Sequence, residues 1–153
     1  MMDGAQVDAQ GHHIKVRPLG EQRFDADHED FAIMIAKLVS LDDAGIANAL
    51  SALNAHASRH FSAEDVELRA LGGTANECHL DEHQAVLTSM QEVAGLVASG
   101  NFEIARKLAH ELALWLPHHV EEMDLRLTQA LFTKRTGGAK IEIRKPQRLV
   151  HHA

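Results

Sequence analysis

Apolar residues recur at steps of three and four in four long segments, and these stripes carry histidines and carboxylates where a helical protein would bury hydrocarbon. His60 and Glu64 are four apart, as are His79 and His83, while His119 and Asp124 are five apart. His28 falls on the first stripe with Phe24, Phe31, Ile35 and Leu38. A polar group buried without a partner costs roughly 2–7 kcal/mol, and an unpaired charge costs more. So many such groups on core-facing stripes need a common partner. A metal cluster satisfies imidazoles and carboxylates together.

The segments predict helices over about residues 24–41, 43–71, 76–98 and 101–133. Asp42 and Asp43 suit the start of the second helix and Gly72-Gly73 its stop. Thr74 or Asn76 would cap the third, Gly100 would end it, and Gly137-Gly138 would end the fourth. Short connections favour antiparallel neighbours. The expected class is therefore all-α: an up-down-up-down antiparallel four-helix bundle over residues 23–133, after an arm or loop over 1–22. Residues 134–153 predict a flexible basic tail, in which 140–144 alternate weakly like a short strand. In such a bundle His28, His60, Glu64, His79, His83, His119 and Asp124 all lie near one end, where chance would scatter them to both.

The length, 153 residues, suits one domain with a real core. A net charge of −7 argues against nucleic acid as a main partner. The charge is uneven, near +5 from Lys134 onward and near −12 before it, so tail docking to an acidic partner or membrane surface is a minor reading. One cysteine, Cys78, excludes an intrachain disulfide. The N-terminal residues contain no signal-like apolar run, and no stretch approaches the roughly 18 apolar residues of a membrane span. A soluble, cytoplasmic protein is expected.

The donor set narrows the metal. Seven ligands exceed one tetrahedral zinc, five imidazoles are too rich in nitrogen for calcium or magnesium, and haem needs one or two axial ligands. Two irons sharing bridging carboxylates use the set well. The sequence contains no Glu-x-x-His, which disfavours the ferritin-like di-iron class. Five residues along an α-helix turn about 140°, so Leu116, Val120 and Met123 would point into the arc between His119 and Asp124 and frame a dry pocket. Pro117, inside the fourth helix, predicts a kink before His119. His119 is preferred over its neighbour His118 because it keeps the stripe from Trp115. Of the remaining histidines, His56 reads as ordinary and partly buried, with support of a ligand one turn away at His60 as the alternative; His110 reads as exposed, and His12, His13, His151 and His152 as solvated. Cys78 reads as a packed small side chain and Glu121-Glu122 as a solvated face. No acid beyond Glu64 and Asp124 is evident on the stripes, and there is no tyrosine.

At these residues the chain resembles the hemerythrins, in particular their bacterial single-domain form. The matching pieces are DHEDF around His28, HFSAED from His60, HLDEH from His79 and, most specific, WLPHHVEEMD from Trp115 to Asp124. The resemblance covers roughly residues 22–133. It implies that His79, His83 and His119 complete one iron, that His28 and His60 hold the other with a position open, and that Glu64 and Asp124 bridge both beside an oxo or hydroxo group. Dioxygen would be the ligand at the open position. Leu116, Val120, Met123, Phe31 and Trp115 are candidates for the pocket around it.

Three functions follow as expectations. The first is reversible dioxygen binding by a non-enzymatic carrier, store or sensor, which as a single domain would signal through a separate protein partner. The second is a di-iron redox enzyme scavenging peroxide or nitric oxide. The third is an iron store or a plain structural bundle.

Overall fold

The computed structural model describes residues 14–137. The sequence expectations for the tail beyond Gly137, including the weak strand, and for His12, His13, His151 and His152 lie outside the described residues. Four antiparallel rods form the bundle: α1 (Gln22–Ser40), α2 (Asp43–Leu71), α3 (Thr74–Ala98), and a fourth built from α4 (Glu103–His119), a π-helical turn (Val120–Asp124) and α5 (Leu125–Arg135). Each rod packs against the two beside it, with α1 closing the ring against α4. No strand occurs among the described residues.

Local chemistry accounts for most boundaries. Alanine-rich α2 has high intrinsic helix propensity and spans about 43 Å at 1.5 Å per residue. It stops at Gly72 and Gly73, whose φ angles of 68° and 93° other residues rarely adopt. Helix α1 starts where Asp25 reaches back to accept the N–H groups of Leu19 (2.7 Å) and Gly20 (3.0 Å). The stretch before it is irregular, yet Ile14 is buried against the bundle. Lys134 and Arg135, expected to open a flexible tail, complete α5, and Arg135 pairs with Glu21 at 3.0 Å.

The fourth rod departs from an unbroken α-helix, and the departure positions the site. The Leu125 N–H bonds to the Val120 carbonyl, an i→i−5 link that defines a π turn. Five residues then close about one turn, so His119 and Asp124 share a face and bring Nε2 and Oδ1 to 3.2 Å. At a uniform 3.6 residues per turn the two would straddle an apolar arc, and the π turn removes that offset. Leu116 and Val120 instead join the main apolar cluster, while Met123 is only half-buried and belongs to no cluster.

Pro117 lies in α4 just before this turn. Its missing N–H removes one bond toward Ala113, but the π turn is downstream and satisfies the five-residue spacing of His119 and Asp124. Pro117→Ala is therefore expected to keep those two residues on one face and to gain about 1–3 kcal/mol of stability. Unchanged metal content with a raised denaturant midpoint checks this; lost metal would make Pro117 the cause of the turn.

Two apolar clusters enclose a polar layer. The larger contains Phe31, Phe61, Val86, Leu116 and Val120 and runs down the bundle. The smaller, Phe24, Leu68, Leu127 and Leu131, closes the near end. In every rod the polar residues fall in sequence between or beside members of the two clusters, so hydrocarbon shields the layer on both sides.

Candidate metal centre

His28, His60, Glu64, His79, His83, His119 and Asp124 fill this layer, and none is more than 3% exposed. His118 is exposed, which settles the choice between the adjacent histidines. The donor atoms form two groups, Glu64 with His79, His83, His119 and Asp124, and His28 with His60, Glu64 and Asp124, each within 4.8 Å. Both groups contain the two carboxylates.

Each carboxylate divides its oxygens between the groups. Glu64 Oε1 lies 3.2 Å from His83 Nε2 and 3.8 Å from His79 Nε2, while Oε2 lies 2.9 Å from His60 Nε2 and 3.8 Å from His28 Nε2. Asp124 Oδ1 faces His79 (2.9 Å) and His119 (3.2 Å), and Oδ2 faces His28 (2.9 Å). That is the disposition of two carboxylates bridging a pair of cations.

These contacts are short but are not aligned as hydrogen bonds. Both oxygens of Glu64 and of Asp124, and Nε2 of His28 and His79, are buried without a hydrogen-bond partner. They converge on points between them. Two donors about 2.1 Å from one ion and at right angles to each other lie about 3.0 Å apart, close to the spacings found.

Two of the rings have their outer nitrogens engaged by acids. His83 Nδ1 donates to Asp65 (2.7 Å), and His119 Nδ1 donates to Glu82 (2.9 Å). In the neutral rings Nε2 then carries a lone pair, and these two lone pairs face each other at 3.2 Å. Two lone pairs at that distance repel unless a proton or a metal cation lies between them. The residues therefore fit a pair of metal ions, with five donors for one and four for the other.

Without a cation, protons must supply the positive charge. Burial opposes a charged His28, but Asp124 and Glu64 override it and push its pKa up to about 9. His60 and His119 shift upward against burial in the same way, through Glu64 and Asp124 respectively. Burial and the neighbouring Asp124 charge oppose ionised Glu64, yet contacts with His28, His60 and His83 hold it below the usual carboxylate range. Asp124 is likewise held low, against its burial, by His119, His28 and His79.

The family model for the Hemerythrin HHE cation binding domain matches residues 19–131. The chain belongs to the hemerythrin family. The bacteriohemerythrin of Ralstonia nicotianae is 33% identical over 110 residues, which cover 72% of this chain and 80% of that protein. No solved structure matches the chain. The hemerythrin match spans the first three rods and the fourth as far as Leu131, and it contains all seven converging residues.

Several parts of this hemerythrin site are absent from the sequence reading. Asp27, Asp65 and Glu82, which lie off the apolar stripes, each accept from a ring Nδ1. Phe61 stacks on His83 with centroids 4.1 Å apart and planes at 9°. Of the pocket candidates, Phe31, Leu116 and Val120 are fully buried, Met123 is half-buried, and half-buried Trp115 stacks on His119 at 4.3 Å. His56, expected to be ordinary and partly buried, is 2% exposed; its Nε2–H donates to the Asp27 carbonyl and its Nδ1 accepts from Arg59. His110 is half-buried rather than exposed. Cys78, expected to be packed, is exposed, because the residue before His79 turns away from the bundle axis. Glu121 and Glu122 are exposed as expected.

Proposed function

We propose that this protein binds dioxygen reversibly at a non-haem di-iron centre held by His28, His60, Glu64, His79, His83, His119 and Asp124. The observation that carries the reading is the division of the Glu64 and Asp124 oxygens between a three-histidine and a two-histidine group. In the family, the di-iron centre supplies two electrons and an open coordination position to dioxygen. Five of these residues would hold one ion and four the other, so the group with fewer protein donors, that of His28 and His60, would be the one to leave room for a gas.

The chain's own residues supply the surroundings. Phe31, Phe61, Leu116 and Val120 exclude water from the layer. The acids nearest the site, Asp27, Asp65 and Glu82, are engaged with ligand rings, which keeps them from acting as proton donors to a bound gas. This arrangement favours reversible binding over turnover. Carrier, store and sensor are all served by such a centre. No helix among the described residues is long and apolar enough to cross a membrane. We place the function in the cytoplasm, where the exposed thiol of Cys78 would stay reduced.

Optical spectra of the iron-loaded, reduced protein test the reading. Air should produce charge-transfer bands that vanish on deoxygenation over repeated cycles. Direct, irreversible oxidation would reject reversible binding, and many turnovers with peroxide or nitric oxide would assign the centre to an enzyme.

A further inference from the structure

Three carboxylates outside the donor groups follow one rule. Asp27 precedes His28 on α1 and accepts from His60 Nδ1 on α2 at 2.9 Å. Asp65 follows Glu64 on α2 and accepts from His83 Nδ1 on α3 at 2.7 Å. Glu82 precedes His83 on α3 and accepts from His119 Nδ1 on α4 at 2.9 Å. Each acid adjoins a residue of one rod's donor set and grips an imidazole of the next rod. A neighbour in sequence is turned about 100° around its helix, which aims it at the adjacent rod rather than the bundle axis. The sense alternates, before, after and before the donor residue, because successive rods run antiparallel.

The circuit is open at its last edge. By the same alternation, the residue after Asp124 or His119 would face α1, and these positions hold Leu125 and Val120. His28 on α1 correspondingly turns a buried Nδ1 that has no hydrogen-bond partner. Glu82 is the most elaborate of the three acids. Its Oε1 also accepts from Trp115 Nε1–H at 2.7 Å, and that indole covers His119. Both side chains line an open groove of about 510 Å³ between α3 and α4, with Glu111 among its other residues.

We propose that Asp27, Asp65 and Glu82 are positioning residues of the metal centre, each fixing the tautomer and ring plane of one imidazole on the next rod. The inference rests on the metal-centre reading above. Each acid keeps its proton-donating partner's Nε2 lone pair aimed inward and raises its basicity. The brace on His60 serves the two-histidine group, and those on His83 and His119 serve the three-histidine group. Removing a brace therefore weakens one ion and leaves the other in place.

The test is cobalt(II) binding by full-length protein in competition with a chelator, read by the visible ligand-field spectrum. Wild-type protein should bind two ions in separable steps. Asp65→Asn and Glu82→Gln should weaken the same step, by about 10–100-fold each, and Asp27→Asn the other. Glu111→Gln, in the groove but off the ligands, should change neither. The thermal midpoints of the metal-stripped variants control for folding, and the amide substitutions retain size and a hydrogen-bond acceptor. Wild-type affinities and spectra in all three variants, or equal weakening of both steps by each, would overturn the brace assignment. A wild-type protein that binds no cobalt would instead overturn the metal centre itself.

Discussion

Glu64→Ala should reduce bound iron from two ions per chain to at most one and destabilise the metal-stripped protein as well. Glu64 is fully buried and offers one oxygen to each histidine group, so the substitution removes a donor from both sides at once. It also removes the counter-charge facing His28, His60, His79 and His83. Removing one partner of a buried ionic cluster costs about 3–5 kcal/mol. His83→Ala makes a narrower change. It takes one imidazole from the three-histidine group and leaves His28, His60 and both carboxylates, so iron should be lost from that group first. Iron analysis per chain and denaturant midpoints, with and without metal, compare the two variants. Full iron occupancy with an unaltered spectrum in His83→Ala would remove His83 from the ligand set; the same result in Glu64→Ala would end the bridging assignment.

The ligand residues were legible because they interrupt apolar stripes at a spacing that an α-helix turns into a shared face. His60 with Glu64 and His79 with His83 needed only that geometry, and the glycine stops gave the antiparallel order that collects them at one end. Asp124 was found by type and by resemblance, but its relation to His119 was misjudged. Nothing in VEEMD signals an i→i+5 bond to a reading that assumes α geometry. The π turn arises where two ligands five apart must meet on one side. The braces were missed for a different reason. Asp27, Asp65 and Glu82 lie off the stripes, where an acid usually faces solvent, and each bonds to a helix other than its own. Their adjacency to His28, Glu64 and His83 was a signal available in the sequence. It becomes readable only when the antiparallel order says which neighbour a residue one step off the stripe will meet. Phe61 was hidden similarly, since its stacking on His83 of α3 depends on the packing of two rods.

Between pH 6.5 and about 9 the metal-stripped protein should lose stability while the metal-loaded protein keeps it. In the stripped protein the His28 pKa rises from its ordinary 6.5 to about 9. A raised folded-state pKa contributes stability that is fully present below 6.5 and is lost as pH climbs through about 9. The shift corresponds to about 3 kcal/mol from His28 alone, and His60 and His119 add in the same direction. Glu64 and Asp124, both held low, stabilise above their ordinary pKa values of 4.5 and 3.8 and lose that contribution as the pH falls through their depressed values. The stripped protein should therefore be most stable at about pH 5–6.5 and weaken steadily toward pH 9. Iron requires the same imidazoles neutral, so its binding displaces their protons and tightens across that alkaline window. Bound metal stabilises the fold in proportion to its affinity, and the gap between loaded and stripped proteins should widen from pH 6.5 to pH 9. Urea midpoints of both forms at half-unit intervals measure the gap. Parallel curves would mean that the protons and the metal do not compete for the same nitrogens, and the seven residues would then not form one cation site.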